Sequence, residues 1–177
     1  AMSEPQVYLN GKKVGEWAYG YSYFYFDVSE FIQDGENTLA VEVSNKEFAS
    51  RWYPGAGLYR KVSVIVKNKE SINQWGTTIT TPIISNEFAN VHVKTEITGE
   101  NTHIVTAVFN AEGEQVAIEK TSTQFGNQFI QNIKVNAPNR WSPENPYLYT
   151  AKTQLFVDGI LKDEVSTRFG IREIKYE

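Results

Sequence analysis

The sequence predicts an all-β protein, and three observations support this. Short segments in which apolar and polar residues alternate follow one another along most of the 177 residues, and this alternation is the period of a half-buried strand. The pairs Asn10-Gly11 and Asp158-Gly159 tolerate the positive φ angles of a tight hairpin turn. Apolar positions at helical spacing do not persist over any long segment, so no long helix is expected.

The first part of the chain is predicted to form four or five strands. Two short strands flank Asn10-Gly11, and the aromatic run YSYFYFDV has the composition of a strand. The segment SEFIQDGEN predicts a single helical turn that ends at Gly35. The segments NTLAVEV and RKVSVIV alternate and predict two further strands.

A polar stretch, KNKES at residues 67–71, predicts a boundary between two domains, 1–66 and 67–177. The opening AMSEPQ, residues 1–6, is typical of a cloning remnant and is left out of the predicted fold. Seven short strands in about 100 residues match an immunoglobulin-like sandwich, with Val91, Val93 and Ile97 on its inner side. The predicted strands are Trp75–Thr80, Val91–Ile97, His103–Asn110, Gln115–Thr121, Gln128–Val135, Tyr147–Val157 and Ile160–Phe169.

Composition excludes several functions. The net charge is −4 and there is no Lys/Arg block, so nucleic acid and anionic membranes are not expected as partners. There is no Cys, and only His92 and His103 could supply imidazole, so neither a thiolate nor a multi-His metal centre is expected. No cofactor is predicted. Aromatic residues make up 14% of the chain, which suits a sandwich core or a sugar-stacking surface.

The segment RWYPGAGLYR has the composition of a ligand site. It combines an Arg with aromatic rings, and Gly55 and Gly57 let the backbone turn where a Cβ would clash. GAGLYR is not a dinucleotide loop, because a strand rather than a helix follows it. A glycosidase needs two carboxyl groups about 5–10 Å apart, and nothing in the sequence pairs the candidate glutamates, so solvated charge is the expected role of Glu16, Glu47, Glu87 and Glu144.

Seven motifs in order give the chain a resemblance to glycoside hydrolase family 2, and especially to its β-galactosidases. They are VYLNGKKVG, FDVSEFI, GENTLAVEVSN, SRWYPGAGLYRKV, WGTTITTP, WSPENPYLY and RFGIREI. The resemblance implies the last half of a jelly-roll sugar-binding domain, then an immunoglobulin-like domain, then a TIM barrel that lies outside this chain. The chain departs from the family at AYGYSYFYF, where a Gly-Gly-Tyr-x-Pro-Phe type segment is usual.

The resemblance also implies roles for residues. In the family, the loop that matches residues 50–57 reaches toward the mouth of the barrel, which makes Ser50, Arg51 and Trp52 the expected substrate-side residues. A purely structural role for Arg51 and Trp52 stays open. Tyr53, Tyr59 and Arg60 are expected to serve packing and the entry into the following strand. No residue of this chain is expected to be catalytic, because the family's two catalytic glutamates lie on the barrel.

The function expected from this resemblance is that of an accessory, non-catalytic region of a retaining β-galactosidase-like glycosidase. Its partners would be the barrel of the same protein and a β-linked galactoside or oligosaccharide, in a bacterial periplasm or cytoplasm. Two alternatives stay open: a free carbohydrate-binding module that uses Trp17, Tyr19, Tyr21 and Tyr23, and a structural or adhesive immunoglobulin-like protein. Half a jelly roll leaves sheet edges and apolar faces uncovered, so self-association through residues 7–66 is also expected.

Overall fold

The structure is a computed structural model that describes residues 1–44, 57–100, 102–122 and 125–174. Within these ranges the chain forms ten strands and one short 3-10 helix, which confirms the all-β prediction. It divides into two compact units, Ala1–Val64 and Ile65–Glu177. None of the described residues belongs to a helix long and apolar enough to cross a lipid bilayer.

The first unit contains a three-stranded antiparallel sheet in the order β2-β1-β3. Strand β1 is Gln6–Leu9, β2 is Lys12–Glu16 and β3 is Leu39–Glu42. Asn10 and Gly11 have φ angles of 52° and 77°, which confirms the predicted hairpin between β1 and β2. The assignment of this unit to half of a jelly roll stays a prediction.

The Asn10 side chain connects the hairpin to the next part of the chain. Its Nδ2 donates to the Phe31 carbonyl at 3.0 Å, and its Oδ1 accepts from the Thr38 amide at 2.9 Å. The first of these partners, Phe31, is the last residue of the predicted helical turn, which is a 3-10 helix at Ser29–Phe31. The helix therefore ends before Gly35, and the chain turns there with a φ of 86°.

Two strand predictions in the first part of the chain are wrong. Residues 21–28, the aromatic run, and residues 60–66 belong to no strand. Both segments have strand-like sequences, but a strand also needs a partner backbone that completes its hydrogen bonds. The sheet β2-β1-β3 includes neither segment, and their apolar side chains remain largely exposed.

The second unit is a sandwich of seven strands, and all seven were predicted. They form a four-stranded sheet in the order β10-β9-β6-β7 and a three-stranded sheet in the order β4-β5-β8. Strand β7 is the fourth strand of the sandwich, and it pairs with β6 on the larger sheet. In immunoglobulin constant domains the fourth strand instead lies beside the fifth, which is β8 here. The bounds are β4 Ser71–Ile84, β5 Phe88–Thr98, β6 Thr102–Phe109, β7 Gln115–Thr121, β8 Gln128–Asn136, β9 Tyr149–Val157 and β10 Ile160–Phe169.

The core of the sandwich has two apolar clusters, and the strands that line it also bury a row of polar side chains. Strict alternation along β5 and β8 turns one set of side chains inward, which confirms the predicted inner positions. The larger apolar cluster includes Val91, Val93 and Ile133, and the smaller one includes Ile97 and Phe129. The buried polar residues on these strands and on β6 and β9 are Thr95, Thr102, Thr106, Gln131 and Thr153.

Gln131 joins the two sheets through this polar row. Its Oε1 accepts from the Thr106 hydroxyl at 2.6 Å, and its Nε2 donates to the Glu119 carbonyl at 3.1 Å. The Thr106 hydroxyl also lies 3.1 Å from that of Thr153. Strand β8 is thus bonded to β6 and β7 of the opposite sheet, and both functional groups of the buried amide have partners.

Two tyrosines of the motif WSPENPYLY fix the corner before β9. The Tyr149 hydroxyl accepts from the Asn139 amide at 2.8 Å, which is the arrangement of a tyrosine corner. The Tyr147 hydroxyl donates to Glu112 at 2.8 Å and accepts from the Ala111 amide at 3.1 Å. Burial raises the pKa of Tyr149, and the hydrogen bond from Asn139 opposes that rise.

Replacement of Gln131 by Ala is expected to lower the free energy of unfolding of the second unit by about 2–4 kcal/mol. The change leaves a cavity, and it removes one hydrogen-bond partner from the Thr106 hydroxyl and one from the Glu119 carbonyl. Urea unfolding measures this loss. The control is the exposed Gln115→Ala on β7, which should change stability by about 0.5 kcal/mol or less; equal losses in the two variants would contradict a sheet-joining role.

The raised pKa of Tyr149 predicts a loss of stability at alkaline pH. A group whose pKa is higher in the folded state stabilises the fold below its unfolded pKa, near 10 for Tyr, and loses that contribution as pH rises through the folded value. Unfolding followed from pH 7 to 11 should therefore show stability falling above about pH 10. Tyr149→Phe should be less stable at pH 7 and should fall less steeply, whereas an unchanged alkaline slope would contradict the assignment.

Candidate functional site

The predicted substrate-side residues Ser50, Arg51 and Trp52 lie in the segment 45–56, outside the described residues. The described residues on its two sides are bound to adjacent positions near the start of the chain. Met2 and Gly57 exchange two backbone hydrogen bonds of 3.0 and 3.1 Å. Ser44 donates its amide to the Ser3 carbonyl at 2.9 Å, and the Ser3 hydroxyl donates back to the Ser44 carbonyl at 2.7 Å.

These contacts concern the prediction for residues 1–6 and the glycine at position 57. Residues 2 and 3 take part in the fold of the first unit, so leaving residues 1–6 out of the fold was wrong. Gly57 has a φ of 132°, a conformation that side chains with a Cβ rarely adopt. The backbone conformation at position 57 therefore requires glycine.

The aromatic residues after β2 form a row of exposed rings, which we call the aromatic segment, residues 17–25. The Trp17 ring stacks on Phe24 with centroids 6.1 Å apart, and its indole N–H donates to the Ser22 hydroxyl at 2.8 Å. The rings of Tyr19 and Tyr21 meet at 5.7 Å. Tyr23 is 71% exposed. The segment is not a strand, although the exposed Tyr21, Tyr23 and Tyr25 alternate with less exposed residues.

Arg60 lies between two tyrosine rings of the first unit. Its guanidinium is 5.2 Å from the centroid of Tyr23 and 5.3 Å from that of Tyr59, within the range of a cation–π contact. The Tyr59 hydroxyl donates to the Gly20 carbonyl at 2.7 Å. Tyr59 and Arg60 therefore pack on the aromatic segment, which agrees with the packing role predicted for them, although neither begins a strand.

The candidate glutamates of this chain include Glu16, which the structure places in an ion pair. Glu16 is paired with Lys13 at 2.7 Å, and the hydrogen bond from Lys13 lowers the pKa of the Glu16 carboxyl. A general acid needs the opposite shift, toward neutral pH. Glu47 lies outside the described residues, and the described His, Asp and Glu side chains include no group of three that could hold a metal ion.

The two histidines lie on the outer faces of the sandwich, half-buried. His92 Nδ1 is 2.9 Å from the Asn132 side-chain oxygen, and the His103 ring stacks on Phe156 at 5.0 Å with an interplanar angle of 3°. They lie on different sheets, β5 and β6. Each therefore has a local structural partner, and the outward positions agree with the sequence prediction.

The chain leaves the sandwich in a fixed direction after β10. The Ile171 side chain is fully buried, and its carbonyl accepts from the Trp141 amide at 2.8 Å. The Arg172 guanidinium lies 5.1 Å from the Trp141 ring centroid. A Cβ on Gly170 would come within 2.9 Å of Trp141, so glycine permits this close approach.

A shallow cavity of about 300 Å³ lies beside this exit. It is lined by Thr80, Pro82 and Arg172 among others and contains no carboxylate. Sequence reasoning did not identify it, because its walls come from β4 and from the residues after β10, which are far apart in the sequence. The lining lacks an acid and base pair, so the cavity has no hydrolytic chemistry of its own.

A family model described as Glycosyl hydrolases family 2 matches residues 71–172, which is more than half of the chain. The chain therefore belongs to this family. It is 33% identical over 178 residues to the β-galactosidase BoGH2A of Bacteroides ovatus, covering 94% of this chain and 21% of that protein. The resemblance stated from the seven motifs is thus confirmed.

Solved structures give the same result for the fold. A glycosyl hydrolase family 2 member from Bacteroides cellulosilyticus matches with a TM-score of 0.88 and 29% identity, over 98% of this chain and 24% of that one. β-Glucuronidase 2 of Bacteroides uniformis matches with a TM-score of 0.85 and 25% identity, over 99% and 24%. The chain spans only 17%, 21% and 25% of the length of the first three curated relatives.

Proposed function

We propose that this chain is an accessory, non-catalytic region of a retaining β-glycosidase. It would position the catalytic barrel of the same protein and supply the segment Ser50–Trp52 to one wall of the substrate pocket. One observation carries the proposal: nearly the whole chain matches family members, yet it spans a quarter or less of the first three curated relatives. Most of such a protein, including its catalytic part, would therefore lie outside these residues.

The parent reaction in this proposal is the hydrolysis of a terminal β-linked galactoside with retention of configuration. One carboxylic acid protonates the leaving oxygen, and a carboxylate about 5–5.5 Å away attacks the sugar carbon. Both groups would be glutamates of the barrel. The matched relatives carry the names β-galactosidase and β-glucuronidase, so glucuronides, and mannosides beside them, are the competing substrates.

The positioning role follows from how the sandwich ends. Ile171 is buried and bonded through its backbone to Trp141, and Arg172 stacks on the same Trp. Residues after β10 therefore start from a rigid base. A domain that follows would be oriented by this base. Such orientation matters because a displacement of about 1 Å at a catalytic centre can lower the rate on the order of a hundredfold.

The substrate-side role rests on the chemistry of Arg51 and Trp52. An Arg donates paired hydrogen bonds to hydroxyls or to a carboxylate, and a Trp face stacks on the apolar face of a sugar ring. Support comes from the two flanks, because Ser44 and Gly57 are held on adjacent residues, Ser3 and Met2. Both ends of the segment are thus fixed by backbone hydrogen bonds, as a pocket wall requires.

A free carbohydrate-binding module is the second candidate, and the exposed aromatic segment 17–25 favours it. Tyr19 is 61% exposed, so its ring offers area for stacking on a sugar. The structural or adhesive alternative has no comparable observation in its favour. Besides the barrel and the β-linked sugar, the proposal includes a second copy of this chain as a partner.

The 177-residue chain is expected not to hydrolyse nitrophenyl β-galactosides, β-glucuronides or β-mannosides. The physical reason is that hydrolysis needs two carboxyl groups about 5–10 Å apart, and in this proposal both belong to the barrel. Release of nitrophenol measures this, with heat-denatured protein as the blank. Turnover above the blank that disappears on Glu87→Gln or Glu144→Gln would contradict the proposal, and activity of the parent protein toward the three substrates identifies the sugar.

Galactose and lactose should bind the isolated chain in the millimolar range or not at all, about −4 kcal/mol or weaker. One wall of a pocket does not enclose a sugar, and small ligands bind well in concave sites. Titration calorimetry measures the constant. Trp52→Ala and Trp17→Ala separate the two sites. A micromolar wild-type constant that is lost only in Trp17→Ala would favour the binding module over the pocket wall.

A further inference from the structure

Two asparagine side chains of the first unit, Asn10 and Asn37, hold residues 31–38 against the hairpin between β1 and β2. We call them the asparagine pair. The Asn10 Nδ2 donates to the Asn37 Oδ1 at 2.8 Å and to the Phe31 carbonyl at 3.0 Å. The Asn10 Oδ1 accepts from the Thr38 amide at 2.9 Å. Both N–H donors and the oxygen of this side chain therefore have partners in residues 31–38.

Asn37 is held in place by the backbone of its own loop. Its Oδ1 also accepts from the Gln33 amide at 2.9 Å. Its Nδ2 donates to the Gln33 carbonyl at 2.8 Å and to the Gly35 carbonyl at 3.1 Å. The loop thus fixes the oxygen that Asn10 binds. All of these bonds join residues within the first unit, so they do not depend on what a longer protein would place around it.

Asn10 is followed by Gly11, and this is the only Asn-Gly pair in the sequence. Asn-Gly pairs deamidate readily, because glycine has no side chain to hinder attack by its own backbone nitrogen. The Gly11 nitrogen loses its proton and bonds to the Asn10 Cγ, which closes a five-membered succinimide ring. The Cγ–Nδ2 bond breaks, and ammonia leaves with that proton. Water then opens the ring and leaves Asp or isoaspartate at position 10.

The hydrogen bonds of the Asn10 side chain oppose this reaction. Ring closure requires that the side-chain amide turn toward the Gly11 nitrogen and give up its three partners in residues 31–38. Proteins open locally at a lower free-energy cost than that of complete unfolding, and a protected group reacts in the opened state. Deamidation of Asn10 therefore requires that residues 31–38 first separate from the hairpin.

Conversion to Asp prevents the same contacts from forming again. The new carboxylate can accept from the Thr38 amide, but it has no proton to donate to the Phe31 carbonyl or to the Asn37 Oδ1. Two acceptors would then face the carboxylate without a donor, which costs free energy. The hairpin turn itself is not affected, because Asp-Gly suits a type I′ turn as Asn-Gly does. The loss therefore falls on the attachment of residues 31–38.

We propose that Asn10 is a deamidation site that its contacts with residues 31–38 protect, and that its conversion permanently releases these residues from the hairpin. The reactants are the chain itself and water, so no enzyme or cofactor takes part. Local opening is reversible while position 10 is Asn, and it becomes irreversible once ammonia has left. The proposal does not depend on the sugar or on the reaction of the parent protein.

The rate of deamidation tests the protection. The 177-residue chain is incubated at mildly alkaline pH and digested, and mass spectrometry measures the fraction of Asp and isoaspartate at position 10. The chain unfolded in guanidinium chloride gives the unprotected rate. The folded wild type should convert at least about tenfold more slowly than the unfolded chain, because only the locally opened state reacts.

Two variants of the loop assign the protection to the asparagine pair. Asn37→Ala removes one acceptor of the Asn10 Nδ2 and the side chain that fixes the loop, so it should raise the folded rate at least about fivefold. The matched control is Gln33→Ala, which also removes an amide side chain from this loop. It keeps the backbone amide and carbonyl that Asn37 binds, so its rate should equal that of the wild type.

Hydrogen exchange tests the release of residues 31–38. Asn10→Asp reproduces the side chain of one product, and in this variant the Thr38 amide should exchange at least about tenfold faster than in the wild type. The amides of β1 should stay protected, which shows that the sheet of the first unit remains folded. The deamidation rates of Asn37→Ala and Gln33→Ala test the proposal independently of whether Asn10→Asp folds.

Three outcomes would overturn the proposal. One is a folded wild type that deamidates at position 10 as fast as the chain in guanidinium chloride. Another is an equal amount of product in Asn37→Ala and Gln33→Ala, which would show that the asparagine pair gives no protection. The last is a folded Asn10→Asp variant whose Thr38 amide exchanges at the wild-type rate, because residues 31–38 would then remain attached.

Discussion

The second unit depends on one side chain, Gln131, which connects its two sheets. An amide buried in an apolar core costs free energy unless its groups are bonded. Here its oxygen accepts from Thr106 and its nitrogen donates to the Glu119 carbonyl. Only one relative position of the two sheets gives both groups of this amide a hydrogen-bond partner. Aliphatic contacts among Val91, Val93 and Ile133 contribute most of the burial, but they tolerate small slides of one sheet over the other. The polar row therefore determines which of the similar packings is adopted.

This rigidity connects to function through the end of β10. The Tyr149 hydroxyl fixes the residues before β9, and the Trp141 amide fixes the residues after β10. Trp141 is two residues after Asn139 in the chain, and it contacts both Ile171 and Arg172 at the exit. A catalytic domain that begins beyond residue 174 would be oriented by these contacts, which gives a physical meaning to the proposed accessory role in a family 2 glycosidase.

The second unit was largely predictable because its strands carry their own signal. Strict alternation from Phe88 to Thr98 and from Gln128 to Asn136 marks one buried face, and the pair Asp158-Gly159 marks a hairpin. The first unit was less predictable from its sequence. Residues 21–28 and 60–66 have the same kind of sequence. Alternation of apolar and polar residues indicates only a preference for extended backbone, whereas strand pairing depends on residues far away in the chain. The candidate site was named from motif order, and its residues Ser50, Arg51 and Trp52 stay a prediction.

The sequence by itself determined the all-β class, the family and the hairpins at Asn10-Gly11 and Asp158-Gly159, because turn geometry and alternation are local properties. Only the tertiary structure decided three other features. It placed β7 beside β6, it brought Gln131 to Thr106 and Glu119, and it bonded the Tyr59 hydroxyl to the Gly20 carbonyl. Each of these depends on contacts between segments that are distant in the sequence, where no local preference of the backbone can choose between alternative neighbours.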